Sequence, residues 1–352
     1  MAVNRLDRIK GCLLGGAVGD ALGAPVEFLA WTDIKKAYGV NGITDFAPAY
    51  GVQGAITDDT QMMLFTAEGL LRAFVRGSSR GICHVPSVIH HALLRWLLTQ
   101  DYPSAMAVER TGWLISNTEL WSRRAPGKTC LQSLRAAKHF GELAENDSKG
   151  CGAVMRVAPC AFFGNAFEYA SESGRLTHGH PSGYLAAGVF ADILQRMADR
   201  SASLEHALTE SLARYGDVDG MDEVRTALER VLFFFYEGFR PTPERIASFG
   251  GGWVAEEALA IGVWCALSAR DLEEGVIMSV NHDGNSDSTG AIAGHLLGIQ
   301  FGSAAIPSRW YERLELRAVI ERMAKDIERV PQDFCGMYGE FDAEIVCAYP
   351  GD

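Results

Sequence analysis

The sequence has no CxxC pair and no zinc-ligand spacing among its eight cysteines, Cys12, Cys83, Cys130, Cys151, Cys160, Cys265, Cys335 and Cys347. That argues against a thiolate zinc site or a dithiol redox motif, and scattered thiols fit a reducing, cytoplasmic compartment. Positive charge is also short, with 32 Lys and Arg against 44 Asp and Glu and a net charge of -12. General affinity for nucleic acid or anionic membranes needs a basic surplus at the surface, so neither is an expected partner. An anionic ligand must therefore be held by local devices. No Asp, Glu, Lys or Arg stands between Asp287 and Arg309. Ser288, Thr289, His295, Gln300 and four glycines nevertheless make this stretch a core helix, not a membrane span. Period-two alternation over a strand length, low-complexity linkers, charge blocks and simple repeats are likewise missing. The expected fold is all-α, with residues 1–352 forming one domain.

What the chain does have is apolar residues, 48% of the total and ample for an extensive core, and 38 glycines in 352 residues. Apolar helical periodicity predicts helices over Thr60–Val75, Val88–Leu98, Leu185–Met197, Val224–Tyr236, Val254–Ala269 and Thr289–Phe301. Two glycine series repeat every four residues, at Gly11, Gly15, Gly19 and Gly23 and at Gly290, Gly294, Gly298 and Gly302. Each helical glycine costs about 0.5–1 kcal/mol relative to alanine. Eight of them imply close backbone approach, either of each helix to its neighbours or of both to a common centre. The N-terminus imitates a signal peptide, with Arg5, Arg8 and Lys10 before Gly11 to Gly19, but Asp20 and the glycines make a poor apolar segment.

Two acidic motifs precede predicted helices. Thr57-Asp58-Asp59-Thr60 reads as a helix cap with acids favoured by the dipole. Asn281-His282-Asp283-Gly284-Asn285-Ser286-Asp287-Ser288-Thr289-Gly290 reads the same way. One cap rarely needs two adjacent carboxylates, however, and together the motifs supply hard oxygen donors suited to Mg²⁺ or Mn²⁺. Helix N-termini repel a cation, so several carboxylates would have to converge.

Five ordered segments between residues 8 and 303 give the chain a specific resemblance: Ile9 to Phe28, Ala55 to Met62, Asn146 to Pro159, Thr177 to Pro181 and Val280 to Gly298. They resemble the ADP-ribosylglycohydrolase family. The resemblance implies an all-α globule with a dinuclear Mg²⁺ or Mn²⁺ site at the bottom of an ADP-ribose cleft. It implies Thr57, Asp58, Asp59, Asp287 and Ser288 as metal ligands, with Asn285 where the family usually has a further aspartate. It also implies a role for Glu27 near the scissile bond, a diphosphate loop from Asn146 to Arg156 that includes Ser148, Gly150, Cys151 and Gly152, and a ligand-facing His178. His180 fits a structural turn equally well. Gly250-Gly251-Gly252-Trp253 reads either as a flexible flap or as a loop whose tryptophan is anchored in the core. The implied activity is release of ADP-ribose from a protein side chain, arginine-linked first, with Glu27, Asp58 and Asp59 catalytic. Alternatives are a catalytically weakened binding or structural protein, which Asn285 favours, and an immunity protein that neutralises an ADP-ribosylating toxin.

Overall fold

The computed structural model describes residues 3–334 and 340–351; Cys335 and the terminal residues 1, 2 and 352 lie outside them. Among the described residues there are sixteen α-helices: α1 (Arg5–Gly23), α2 (Trp31–Tyr38), α3 (Asp58–Arg80), α4 (Val85–Thr99), α5 (Lys128–Ala136), α6 (Ala166–Arg175), α7 (Pro181–Arg200), α8 (Leu204–Tyr215), α9 (Asp222–Tyr236), α10 (Pro243–Ile246), α11 (Ala255–Ser268), α12 (Leu272–Val280), α13 (Ser286–Phe301), α14 (Ser308–Tyr311), α15 (Arg317–Asp333) and α16 (Ala343–Ala348). The only strands among those residues are β1 (Pro48–Ala49) and β2 (Val52–Gln53), an antiparallel pair. The all-α expectation holds. All six helices read from periodicity exist, as α3, α4, α7, α9, α11 and α13. One continuous apolar cluster runs from Ile9 to Tyr349.

At its centre α1 and α13 lie antiparallel with their glycine stripes face to face. A Cβ on Gly19 would stand 1.9 Å from the Gly290 carbonyl oxygen, and one on Gly294 would stand 2.0 Å from that of Gly15. No side chain fits there, so the interface is backbone against backbone, and this close packing offsets the helical cost of the glycines. The stripe joins α13 to α1. Gly302 lies one residue beyond α13, where φ is +79° and it ends the helix. The signal-like stretch Gly11 to Gly19 is wholly buried. Among the described residues no helix is long and apolar enough to cross a membrane.

Antiparallel packing sets the C-terminal end of α1 beside the N-terminal end of α13. Asp20 and the turn after Gly23 therefore sit next to Asp287, and α3 starts against them. The first four N–H groups of any helix need outside acceptors. For α3, Asp20 accepts from the backbone of Thr57 at 3.0 Å and of Thr60 at 3.2 Å, and from the Thr60 hydroxyl at 2.5 Å. One buried carboxylate thus ties the end of α1 to the start of α3.

Candidate active site

The cap explanation of the first motif holds for Thr57, whose Oγ1 accepts the Asp59 N–H at 3.2 Å. With Asp20 and Thr57 doing the capping, the side chains of Asp58 and Asp59 are left for other use. Asp58 Oδ2 accepts the Gly127 N–H at 3.1 Å, and Asp59 Oδ2 accepts from the Ser288 hydroxyl at 2.8 Å, across 229 residues of sequence. The second motif does not cap α13 through its N-cap side chain. Asn285 occupies the N-cap of α13 without a side-chain capping bond, while Asp287 Oδ1 accepts the Ser288 N–H at 2.8 Å. Asn281, His282 and Thr289 instead fold the loop: Asn281 bonds both backbone groups of Ile43, and His282 Nε2 meets Thr289 Oγ1 at 2.9 Å. Gly284 has φ +134°, and a Cβ there would stand 2.0 Å from the Gly251 carbonyl oxygen.

Five carboxylates, Asp20, Glu27, Asp58, Asp59 and Asp287, consequently share one buried region. Lys128 is the one Lys or Arg lining the cleft among the described residues. Charge in such a place is costly. Burial, then the charges of Asp287, Asp58 and Asp20, push Glu27 up to about 10. Burial likewise pushes Asp287 to about 7 and Asp20 to about 6, and raises Asp58 and Asp59 well above the usual carboxylate range. Two oxygen atoms here, Glu27 Oε2 and Asn285 Oδ1, are buried with no hydrogen-bond partner among the described residues. The Asn285 amide nitrogen is held 2.9 Å from the Cys151 sulfur.

The opposite wall is the 149–152 loop. Arg156, fully buried, braces it from behind through the Gly152 carbonyl at 2.8 Å, the Ser173 carbonyl at 2.7 Å and Thr177 Oγ1 at 2.9 Å. Lys149 is neutralised by Glu256 at 2.7 Å and Glu223 at 2.9 Å, so an anion at this loop must rely on the backbone. The Cys151 N–H is already spent on the Trp253 carbonyl at 3.2 Å. Gly150 and Gly152 face His178: a Cβ on Gly152 would stand 3.1 Å from its ring and 2.8 Å from the Cys130 sulfur. Burial and the Arg156 charge push His178 down to about 3, so it is neutral in the working pH range. His180 caps α7, accepting the Ser182 N–H, as the turn reading expects. The 250–253 segment is pinned, not a loose flap, because Gly251 accepts the Asn285 N–H at 2.8 Å and Gly252 donates to Glu257 at 3.1 Å. Trp253 is 45% exposed at the cleft mouth, stacked 5.7 Å from Phe28, and is not anchored in the core.

The cleft so formed measures about 200 Å³ and is lined by Glu27, Asp58, Asp59, Gly150, Cys151, Gly152, His178, Asn285, Asp287 and Ser288 together. A groove of about 560 Å³ along α5 adjoins it at Thr129 and contains Ser148, which therefore stands one step outside the acid cluster. Thr57 lies behind the lining, fully buried.

Residues 1–334 match the family model for ADP-ribosylglycohydrolase. The chain belongs to that family. It is 26% identical over 321 residues to the ADP-ribosyl-[dinitrogen reductase] glycohydrolase of Rhodospirillum rubrum, covering 88% of this chain and 91% of that one. It is 24% identical over 336 residues to the ADP-ribosylarginine hydrolase Tri1 of Pseudomonas putida, covering 93% and 80%. A solved structure described as an ADP-ribosylglycohydrolase-related protein complex superposes with a TM-score of 0.69 at 27% identity, over 93% of this chain and 99% of that one.

ADP-ribosylglycohydrolases are associated with divalent metal, and the donor set bears on that. Among the described residues no three His, Cys, Asp or Glu side chains are drawn into a ready-made ligand shell. The carboxylates are held by Gly127, Ser288 and the α3 backbone instead. The chemistry of the donors fits a hard cation all the same: carboxylate, amide and hydroxyl oxygens converge, two of them unpartnered, and the acid excess lacks a counter-charge. Sequence reading missed Asp20, though it lies inside the Ile9 to Phe28 segment, because a lone Asp in an apolar helix carries no spacing signal. It also missed the 124–130 segment that brings Lys128, Thr129 and Cys130 to the cleft, where Pro126-Gly127 looks like any turn.

Proposed function

We propose that the whole chain works as one domain that hydrolyses the glycosidic bond between ADP-ribose and a protein side chain, arginine-linked first among the possible acceptors, in a Mg²⁺- or Mn²⁺-dependent reaction. The observation that carries this reading is the bond from Ser288 to Asp59, which joins the two acidic motifs at the floor of a cleft whose other wall is the glycine loop. Arginine stands first because the Pseudomonas relative is named an ADP-ribosylarginine hydrolase. Seven free cysteines among the described residues support a cytoplasmic setting.

Asp58, Asp59, Asn285, Asp287 and Ser288 would hold the cation, with Thr57 behind them. When bound, it supplies Lewis-acid polarisation and a template for ribose hydroxyls and water. The chain's own groups do the rest. Glu27, whose proton burial and the neighbouring acids retain near neutral pH, would protonate the leaving nitrogen. The remaining carboxylates stabilise positive charge as the sugar approaches an oxocarbenium-like state. Gly152 and the neighbouring backbone would meet the diphosphate, and neutral His178 packs against that loop. The partner is then an ADP-ribosylated protein; a toxin partner has no feature in this cleft to support it.

Incubation with an arginine-ADP-ribosylated protein should release ADP-ribose, stop with chelator and resume with Mg²⁺ or Mn²⁺. Full activity in a rigorously metal-free preparation defeats the metal assignment. Release only from serine-linked substrate moves the acceptor while leaving the chemistry in place.

A further inference from the structure

Fourteen residues along α3 from Asp58, roughly 20 Å at the helical rise, a second cleft of about 390 Å³ opens between α3, α4 and the last described residues of the chain. In a chain of net charge -12 this cleft is lined by Arg72, Arg76 and Arg95. Arg95 is completely buried. Its Nε and Nη2 lie 3.1 and 3.0 Å from Glu68 Oε2, while Glu68 Oε1 takes Arg72 at 3.0 Å. One carboxylate therefore serves two buried guanidiniums. Among the described residues Arg95 Nη1 has no partner, Nη2 has only its ion-pair approach to Glu68 and no hydrogen bond, and the buried His91 Nε2 has none either. Arg76 stands at the rim, where it donates to the Gly351 carbonyl at 2.9 Å. Glu109 is the further acid lining the cleft.

A buried guanidinium with an unmet N–H and a shared counter-ion is an expensive arrangement unless an acceptor arrives. A tetrahedral oxyanion supplies several acceptors at once, and arginine is the side chain whose fork suits phosphate. The cleft is larger than a bare phosphate, and Phe140, 42% exposed and with its ring centroid 4.5 Å from that of His91, provides a flat apolar wall. We infer that this cleft is a second ligand site, separate from the acid cluster, for a small phosphate monoester whose phosphate meets Arg95, Arg76 and His91 and whose organic part lies against Phe140. Burial and the charges of Arg95 and Arg72 hold His91 well below its usual value, near 4, so it meets the phosphate as a neutral donor through Nε2.

The test is calorimetry of the full chain with inorganic phosphate and with a nucleoside monophosphate, repeated in Gly152→Val so that occupancy of the glycine loop is separated from it. Both probes should still bind in Gly152→Val, the monophosphate more tightly, and the remaining effects are read in that background. Arg76→Gln should weaken both about tenfold, the scale of one charged hydrogen bond. Arg95→Met risks the fold because it unbalances Glu68. His91→Phe, which keeps the ring packing, gives the same reading without that risk and should weaken both probes several-fold. Binding that disappears in Gly152→Val and is unaffected by Arg76→Gln and His91→Phe would overturn the inference, as would no binding at all.

Discussion

The two clefts reached from α3 bury charge of opposite sign by different means. At the helix start, five carboxylates gather where α1, α3 and α13 meet, and Lys128 is the one Lys or Arg lining that cleft among the described residues. Four turns along, the arginines lie mid-helix and share Glu68, one through the i,i+4 pair with Arg72 and one across to α4. The first cleft concentrates like charge and so holds its acids protonated or ready for a cation. The second pairs most of its charge through Glu68 and keeps a residual positive charge at Arg95 and Arg76. Their roles in stability should therefore be opposite: the basic cleft is built around a pair that the fold cannot lose, and the acid cleft around repulsion that the fold tolerates.

The largest effect expected from breaking this contrast is at Glu68. Glu68→Gln leaves two buried guanidiniums without their counter-ion and should cost about 3–5 kcal/mol in urea unfolding. A loss under about 1 kcal/mol would mean that water reaches both arginines. Next comes the acid cleft, where Asp59→Ala should lower hydrolysis by about 100-fold or more and leave helical circular dichroism unchanged. Loss of helix instead would make Asp59 a structural cap.

The pH responses should separate the clefts as well. His91 and His178 are held near 4 and 3, below the unfolded value. Their contribution is complete above that unfolded value of ~6.5 and is lost as pH falls toward the folded values. Asp20 and Asp287 are held near 6 and 7, above the unfolded value. Their contribution is present in acid and is lost as pH rises through those values. In chelator, Asp287→Asn should therefore raise stability by about 1 kcal/mol at pH 8 relative to pH 5, read from denaturation midpoints. Equal shifts at both pH values would place Asp287 outside the repulsive cluster.

The smallest effect concerns Asn285, whose unpartnered oxygen faces the cleft where a further carboxylate would strengthen the charge contrast. Asn285→Asp should shift half-saturation with Mg²⁺ several-fold lower, since oxygen-ligand sites follow their charge count. Unchanged Mg²⁺ dependence and turnover would show that residue 285 does not serve the cation.

Much of this was legible in the chain itself. The four-residue glycine spacing identified α1 and α13 as close-approach helices, because only a missing Cβ permits contacts of this kind. Periodicity located α3, α4, α7, α9, α11 and α13, because a buried stripe writes itself at 3.6 residues. The acid pair Asp58-Asp59 and the Asn285 to Ser288 run stood out because those residue types exceed what a cap requires. What lay outside reach was anything set by which surfaces meet. The stripe chose α1 as the partner of α13, and that pairing alone placed Asp20 under α3, a residue with no local signal. Lys128 and Thr129 reach the cleft only because Asp58 holds the Gly127 backbone. Arg72 and Arg95 look like ordinary helix-surface residues until α3 and α4 pack around Glu68. Local sequence determines propensity, period and donor chemistry, which act over a few residues. The sharing of one carboxylate or one cleft among distant segments is decided by long-range packing, where burial fixes what each charge must find.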